Sequence, residues 1–569
     1  MIIDHLDKPS ALSWIRGYNR SQFSSDLIAG LTVGVVLIPQ SIAYAILAGA
    51  PPIHGLYASL MPLLVYAILG TSRQLSVGIT AIDGLLVAAG LAALAPASSD
   101  AYMVHIFTLA MMVGVIQLVM GFLRFGFVVN LLSRPLIAGF MAAAALIIGF
   151  SQLGTLLGIS TAQSLNAVSQ VMLVVERIGE LHPASVAISV SGILILLVGR
   201  KVAKKFPSAL VAVVLTALAV FFMDLESGGV AIVGSISGGL PSFKLPEFGL
   251  ESIQALFPTA IMLALVQFMN VISLGKVFAA RSGDQVRPNA ELLALGSMNV
   301  SSSVMGGLPV SGSFSRTAVN VDAGATSPMS SAIAAVFVGL ALLFFTPIFY
   351  FLPIPVFASI IVVSALGLID ISEIRFLWKT KARDGFIASF TFLATLLFGI
   401  HQGILTGVAL SVIAVLYRIS RPNVAILGHL DGTRTFRGMR DHGDAKQFDG
   451  VLILRIDASF SFANADRLRE VIMKQASGQD IRAIILDASS INDLDTTALA
   501  ILSDTHEALS KREIDFYMSG TKMAVVKVLR SSGVHDTIGV DHFFLSVHRA
   551  LVHVLTGWNR LDEYVGRLP

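Results

Sequence analysis

Apolar residues run in long blocks through the first three quarters of the chain and in short alternating blocks through the last quarter. A membrane helix needs about 20 mostly apolar residues. Eleven stretches read as such helices: 27–47, 55–70, 104–122, 130–151, 184–199, 208–223, 255–278, 328–346, 351–369, 385–400 and 402–418. A weaker one covers 289–304. Two more, 78–94 and 312–323, are too short and too interrupted by Gly or Pro to span alone. Numbered along the chain these are elements 1 to 14, and the broken ones are elements 3 and 10, seven apart. The pattern therefore predicts a polytopic α-helical membrane protein of fourteen elements in two inverted repeats of seven.

From Gln447 the period changes. Val451–Ile456 and Ala483–Asp487 read as short apolar strands, and helices are expected at 463–476, 497–511 and 522–532. Such alternation predicts a small α/β sheet. The expected organisation is a polar segment at 1–25, a membrane domain at 26–421, a linker at 422–446 and a second domain at 447–569.

Composition sharpens the division. Of 569 residues, 55% are hydrophobic and 13% charged, with a mean hydropathy of +0.79; soluble domains average about 25% charged. Residues 1–421 carry 22 Lys or Arg and 17 Asp or Glu, whereas residues 422–569 carry 17 and 19, so the charge is concentrated in the tail. This balance argues against an ordinary soluble enzyme, a disordered chain and a nucleic-acid binder. Cysteine is absent, which excludes disulfides and thiol chemistry. The polar stretch from Met1 to Asp26 does not read as a signal peptide. Fourteen Lys or Arg fall on one set of loops, among them Arg73, Arg134, Lys204, Arg287, Arg375 and Lys379, against Arg177 and Lys244 on the other. This asymmetry predicts both termini in the cytoplasm and an even number of crossings.

Broken helices at matching positions of two repeats point to a transport site. Facing half-helix N-termini offer free N–H groups and positive dipole ends, which favour an anion. Element 10 opens Leu308-Pro309-Val310-Ser311-Gly312-Ser313-Phe314-Ser315-Arg316. Its small hydroxyl residues let an oxyanion approach the backbone, and Arg316 either supplies a fixed positive charge or caps a neighbouring helix. Element 3 reads Ser76-Val77-Gly78-Ile79-Thr80-Ala81-Ile82-Asp83-Gly84. Asp83 is either structural, paired to Arg316 or serving as a helix cap, or a coupling residue for a proton or cation. These two are the charges expected deep in the membrane. In element 1, Gln40 and Tyr44 share a face one turn apart beside Pro39. In element 8, Gln267, Asn270 and Ser273 form a polar stripe, which serves either the site or helix packing.

These runs resemble a known family. Asp26–Gly34, Ile38-Pro39-Gln40, Ala43-Tyr44-Ala45, Ala48–Pro52, Gly55–Ser59 and Gly70–Arg73 closely resemble the sulfate permease family (solute carrier family 26), as do Gly312–Arg316 followed by Ala318-Val319-Asn320. The resemblance implies a seven-plus-seven fold with a moving core and a gate domain. It also implies an anion held between half-helices 3 and 10, with elements 1 and 8 lining the site, and a homodimer among membrane lipids. The implied contact residues are Gln40, Tyr44, Ile79, Thr80, Ala81, Ser311, Gly312, Ser313, Phe314, Ser315 and Arg316. Family substrates include sulfate, bicarbonate, chloride and dicarboxylates, moved by proton or sodium symport or by exchange, with no other cofactor. Two positions depart from the family pattern: Ile79 follows Gly78 where Pro is usual, and Asn270 stands where element 8 usually carries Glu or Asp. Asp83 replaces an apolar residue, so the titratable group is expected to have moved from element 8 to element 3, and Asp83 and Asn270 are the coupling candidates.

The run Asp487–Leu499 resembles the core motif of the STAS domain. Related bacterial antagonists are phosphorylated at the position of Thr496, which here serves either that role or as a helix N-cap. The expectation is a secondary active transporter of small inorganic anions in a bacterial-type inner membrane. An uncoupled anion channel or exchanger and a dicarboxylate transporter are the alternatives.

Overall fold

The structure is a computed structural model that describes residue 15 and residues 18–568, apart from 93–98, 132, 160–166, 203–207, 237, 244, 247–248, 283–285 and 479. The chain divides into two compact units, Met1–Ser411 and Val412–Pro569.

In the first unit, helices occupy all fourteen expected positions. Elements 1 to 7 run Arg20–Leu47, Pro52–Leu69 (with a short break before Met61), Ala81–Ala92, Ser99–Phe122, Arg134–Ser151, Pro183–Val202 and Ser208–Phe222. Elements 8 to 14 run Leu250–Ser282, Pro288–Val304, Phe314–Asp322, Met329–Phe344, Ile354–Leu366, Ala382–Phe398 and Ile400–Ser420. Among the described residues, seven helical stretches are long and apolar enough to cross a bilayer unaided. Several others stop short because extended backbone completes them. After element 7, for example, Val233 N–H donates to Leu352 C=O at 2.9 Å and Ile354 N–H to Ala231 C=O at 2.9 Å, closing the start of element 12 against the loop.

Elements 1 to 4 pack with elements 8 to 11, and elements 5 to 7 pack with elements 12 to 14, so each helical body draws on both repeats. Close approach requires small residues. A Cβ on Gly30 would lie 2.5 Å from the Ser330 carbonyl oxygen, so elements 1 and 11 touch backbone to backbone there. Element 1 starts on a capping box: Asn19 Oδ1 accepts from Gln22 N–H at 2.9 Å, and Gln22 Oε1 accepts from Asn19 N–H at 3.1 Å. Two two-residue strands, β1 (Val77–Gly78) and β2 (Ser311–Gly312), precede the half-helices and pair antiparallel.

Two charges missed in the sequence lie as deep as the two expected. Asp26 and Glu291 are fully buried. Asp26 clasps the turn before element 11: Oδ1 accepts from Thr326 N–H at 2.6 Å and Ser327 N–H at 3.1 Å, and Oδ2 from the Ser327 hydroxyl at 2.5 Å and Tyr18 Oη at 2.9 Å. Glu291, in the first turn of element 9, accepts from Thr71 N–H at 2.8 Å, from the Thr71 hydroxyl and from Tyr66 Oη at 3.2 Å. It anchors the turn that leads into β1.

The second unit carries a six-stranded sheet in the order β4-β3-β5-β6-β7-β8. These strands are β3 Val424–His429, β4 Phe436–Gly438, β5 Val451–Ile456, β6 Ala483–Asp487, β7 Asp515–Ser519 and β8 Phe543–Phe544. From β5 to β8 the strands are parallel, while β3 lies antiparallel to both β4 and β5. The stretch 422–446 is therefore not a linker, since β3 and β4 extend the sheet. Leu427 and His429 of β3 are buried, His429 against Phe436, Phe448 and Tyr564. The helices after β5, β6 and β7 run Ala465–Gly478, Thr496–Ser510 and Met523–Ser531, each within two residues of expectation.

Candidate functional site

The site is assembled around the β1–β2 crossing. Val77 pairs with Gly312 and Gly78 with Ser311, and Ser313 N–H donates to Ser76 C=O at 2.9 Å. Each strand runs directly into its half-helix, which brings the two N-terminal ends together. Gly78 has φ +141°, and a Cβ there would lie 3.2 Å from Arg316 Nη2. A side chain at Gly78 would strain the backbone and crowd the guanidinium.

Arg316 is 0% exposed, although it stands in the first turn of half-helix 10. Its Nη1 donates to Gln40 Oε1 at 3.2 Å and to Ile79 C=O at 3.1 Å, and Nη2 donates to the same carbonyl at 3.1 Å. Its Nε is buried with no hydrogen-bond partner. A desolvated N–H without an acceptor costs on the order of 1–3 kcal/mol or more. The guanidinium therefore retains one donor suited to a further acceptor.

Asp83, 1% exposed, is not bonded to Arg316. It completes a capping box on half-helix 3. Oδ2 accepts from Thr80 N–H at 3.2 Å and from the Thr80 hydroxyl at 2.7 Å, while Thr80 Oγ1 accepts from Asp83 N–H at 3.3 Å. Across the crossing, the Ser311 hydroxyl donates to Oδ2 at 2.7 Å, and from element 8 Gln267 Nε2 donates to Oδ1 at 3.1 Å. One carboxylate thus ties elements 3, 8 and 10.

The remaining expected residues divide. Gln40 and Tyr44 are buried on element 1, Gln40 as the Arg316 acceptor. Ile79 contributes its carbonyl, Thr80 the cap, and Ala81 the first residue of half-helix 3. Gly312 C=O accepts from Asn270 Nδ2 at 2.7 Å, so Asn270 braces β2. Ser313 caps half-helix 10, and its hydroxyl lies 3.3 Å from that of Ser315. Phe314 differs: it is more than half exposed and packs on Phe278 of element 8.

Two residues behind the site were missed. Gln267 Oε1 accepts from Gln117 Nε2 at 3.0 Å and from Asn299 Nδ2 at 3.0 Å, and Asn299 Oδ1 accepts from Val310 N–H at 2.8 Å. Single amides inside the apolar elements 4 and 9 were the available signal. In the second unit, Thr496 is exposed and is not the N-cap; Asp495 is, accepting from Ala498 N–H at 2.8 Å.

The model of the sulfate permease family matches residues 23–391 and that of the STAS domain residues 443–550. The chain belongs to the sulfate permease family. It is 36% identical over 558 residues to the probable sulfate transporter 4.2 of Arabidopsis thaliana, covering 95% of this chain and 82% of that one. A probable sulfate transporter of Mycobacterium tuberculosis is 36% identical over 539 residues, covering 94% and 96%. Among solved structures, the murine Slc26a9 anion transporter in its inward-facing state superposes with a TM-score of 0.89 at 25% identity, covering 96% and 94%. The transmembrane domain of the cyanobacterial bicarbonate transporter BicA gives 0.60 at 24% identity, covering 69% of this chain and 98% of that one, a likeness of fold. As a family member the chain is a membrane-embedded anion transport protein with a C-terminal STAS domain, not an enzyme.

Proposed function

We propose that this chain carries sulfate or a closely similar oxyanion in symport with a proton, the anion resting between the N-terminal ends of half-helices 3 and 10 and the proton on Asp83. The buried guanidinium of Arg316, with its Nε donor unmatched, carries the reading. An oxyanion is the ligand class that accepts from such a donor and from helix N-terminal amides together. Ser313 and Ser315 add small hydroxyls near the same point, those of Ser311 and Thr80 donating instead to Asp83, and the relatives named as sulfate transporters favour that oxyanion.

Asp83 supports coupling. Without a proton it sets a negative charge beside the substrate and offsets Arg316; with one, it leaves the arginine's charge for the anion. Two of the groups touching it, Thr80 N–H and Gln267 Nε2, are obligate donors that repel a metal cation, which favours a proton over sodium. Proteoliposomes loaded at pH 7.5 and diluted into radiolabelled sulfate at pH 5.5 are expected to accumulate sulfate above its outside concentration. Sodium is not needed for this. A requirement for a sodium gradient, or uptake that only equilibrates, would overturn the proton assignment.

A further inference from the structure

The loop between elements 12 and 13 holds a ten-residue helix, Ile371–Thr380, absent from the spans read in the sequence. Asp370 caps it, accepting from Glu373 N–H at 2.9 Å. It is fastened to the bundle on one side only. Leu377 is buried, and Glu373 pairs with Arg134 at the start of element 5 at 3.1 Å. Trp378 lies over the start of element 13, 4.9 Å from the Phe386 ring, where Gly385 lets the indole come close.

The other side is a mixed surface. Ile371 and Trp378, at i and i+7, lie along the edge of this surface where Trp378 meets element 13. Arg375 and Lys379, four residues apart, form the stripe beside them, and Phe376 lies further round. Ile371 is 64% exposed, Phe376 52% and Trp378 41%. Arg375, Lys379, Lys381 and Arg383 are exposed among them. Large apolar and aromatic side chains set between cations fit the boundary between acyl chains and acidic headgroups better than water or the bilayer interior. The Lys and Arg distribution places this loop on the cytoplasmic side, and the inference rests on that orientation.

We infer that the helix Ile371–Thr380 is an interfacial anchor for anionic phospholipid. Ile371 and Trp378 sit at the acyl boundary, and Arg375, Lys379 and Lys381 hold headgroup phosphates. Because the helix is fixed to elements 5 and 13, lipid charge would bear on the body that those elements form, leaving the residues around Arg316 untouched.

The test uses the full-length protein with Trp14→Phe and Trp558→Phe, so that Trp378 is the sole tryptophan, reconstituted in liposomes. Brominated phosphatidylglycerol or brominated phosphatidylcholine is added at equal fraction. Phosphatidylglycerol is expected to quench Trp378 about twofold more strongly, as attraction of a basic cluster to acidic lipid requires. Adding Arg375→Gln, Lys379→Gln and Lys381→Gln should make the two lipids equal while sulfate uptake persists, which reports that the protein is folded. Equal quenching before those changes would overturn the headgroup assignment. Absence of quenching by either lipid would show that protein, whether the STAS domain or a second copy, covers the helix, and would overturn the inference outright. Neither result depends on whether transport is proton-coupled.

Discussion

Replacing Asp83 by Asn tests the charge balance around Arg316. The change is nearly isosteric. With the amide nitrogen in place of Oδ2, the Thr80 and Ser311 hydroxyls, which now donate at 2.7 Å, can turn to accept. Gln267 keeps its bond to the remaining oxygen, and of the present donors the Thr80 N–H alone loses its acceptor. For an anion bound about 7 Å from an ionised Asp83, at an effective dielectric of about 20, Coulomb repulsion would be about 2 kcal/mol for each unit of substrate charge, so a dianion would meet about 5 kcal/mol. Even a third of that, after the site relaxes, amounts to about tenfold in affinity. If the proton leaves Asp83 between pH 5.5 and pH 7.5, as the proposal requires, the variant should bind sulfate about tenfold more tightly than the parent at pH 7.5 and should lose the rise in affinity towards pH 5.5. Two readouts separate coupling from binding: accumulation of radiolabelled sulfate against a pH gradient, and sulfate–sulfate exchange with no gradient. Accumulation should vanish while exchange survives. A variant that still concentrates sulfate in proportion to the pH gradient would refute the assignment of the proton to Asp83.

Further outcomes follow from other contacts. Arg316→Lys can keep at most one of the three bonds to Ile79 and Gln40; at about 1.5 kcal/mol for each of two charge-assisted bonds lost, uptake should fall about 100-fold with the fold intact. Uptake within twofold of the parent would remove Arg316 from the site. Glu291→Ala leaves the Thr71 N–H without an acceptor in a buried place and should cost about 2–4 kcal/mol, read as a lower melting temperature in detergent, with Glu291→Gln milder because it keeps one carbonyl oxygen. An isolated second unit beginning at residue 422 should melt cooperatively. One beginning at 447 lacks β3 and β4, loses the burial of Leu427 and His429, and should unfold at least about 10 °C lower, since each large apolar side chain contributes about 2 kcal/mol.

The fourteen elements were legible because hydropathy and breaks by Gly and Pro are local properties, and so was the half-helix pair. What escaped has partners far away along the chain. Asp26 and Glu291 stand near helix starts, where a charge ordinarily meets water. Their burial depends on Thr326 and Ser327, and on Tyr66 and Thr71, which lie 220 residues or more away in sequence. Asp83 was visible as an oddity, and of the two structural roles open to it the helix cap is the one found: Thr80, Ser311 and Gln267 claim it, while Arg316 turns to the Ile79 carbonyl. The strands β3 and β4 were passed over because they are bordered by glycine and charge. Only the pairing of β3 with β5, and of β4 with β3, gives them a place in the sheet.

The β1–β2 crossing has a consequence for how an ion is chosen and how it is passed on. Its ladder, the Asp83–Ser311 bond, the Arg316–Ile79 and Arg316–Gln40 bonds and the Asn270–Gly312 bond together join elements 1, 3, 8 and 10, which pack in one helical body. On the proposed reading, the recognition chemistry lies on one of the two helical bodies, and a movement of that body past the other would break none of these bonds. Selectivity and speed should accordingly be separable by mutation: changes around Ser311 and Arg316 alter which ion is taken, and changes along the seam between the two bodies alter how often it is delivered.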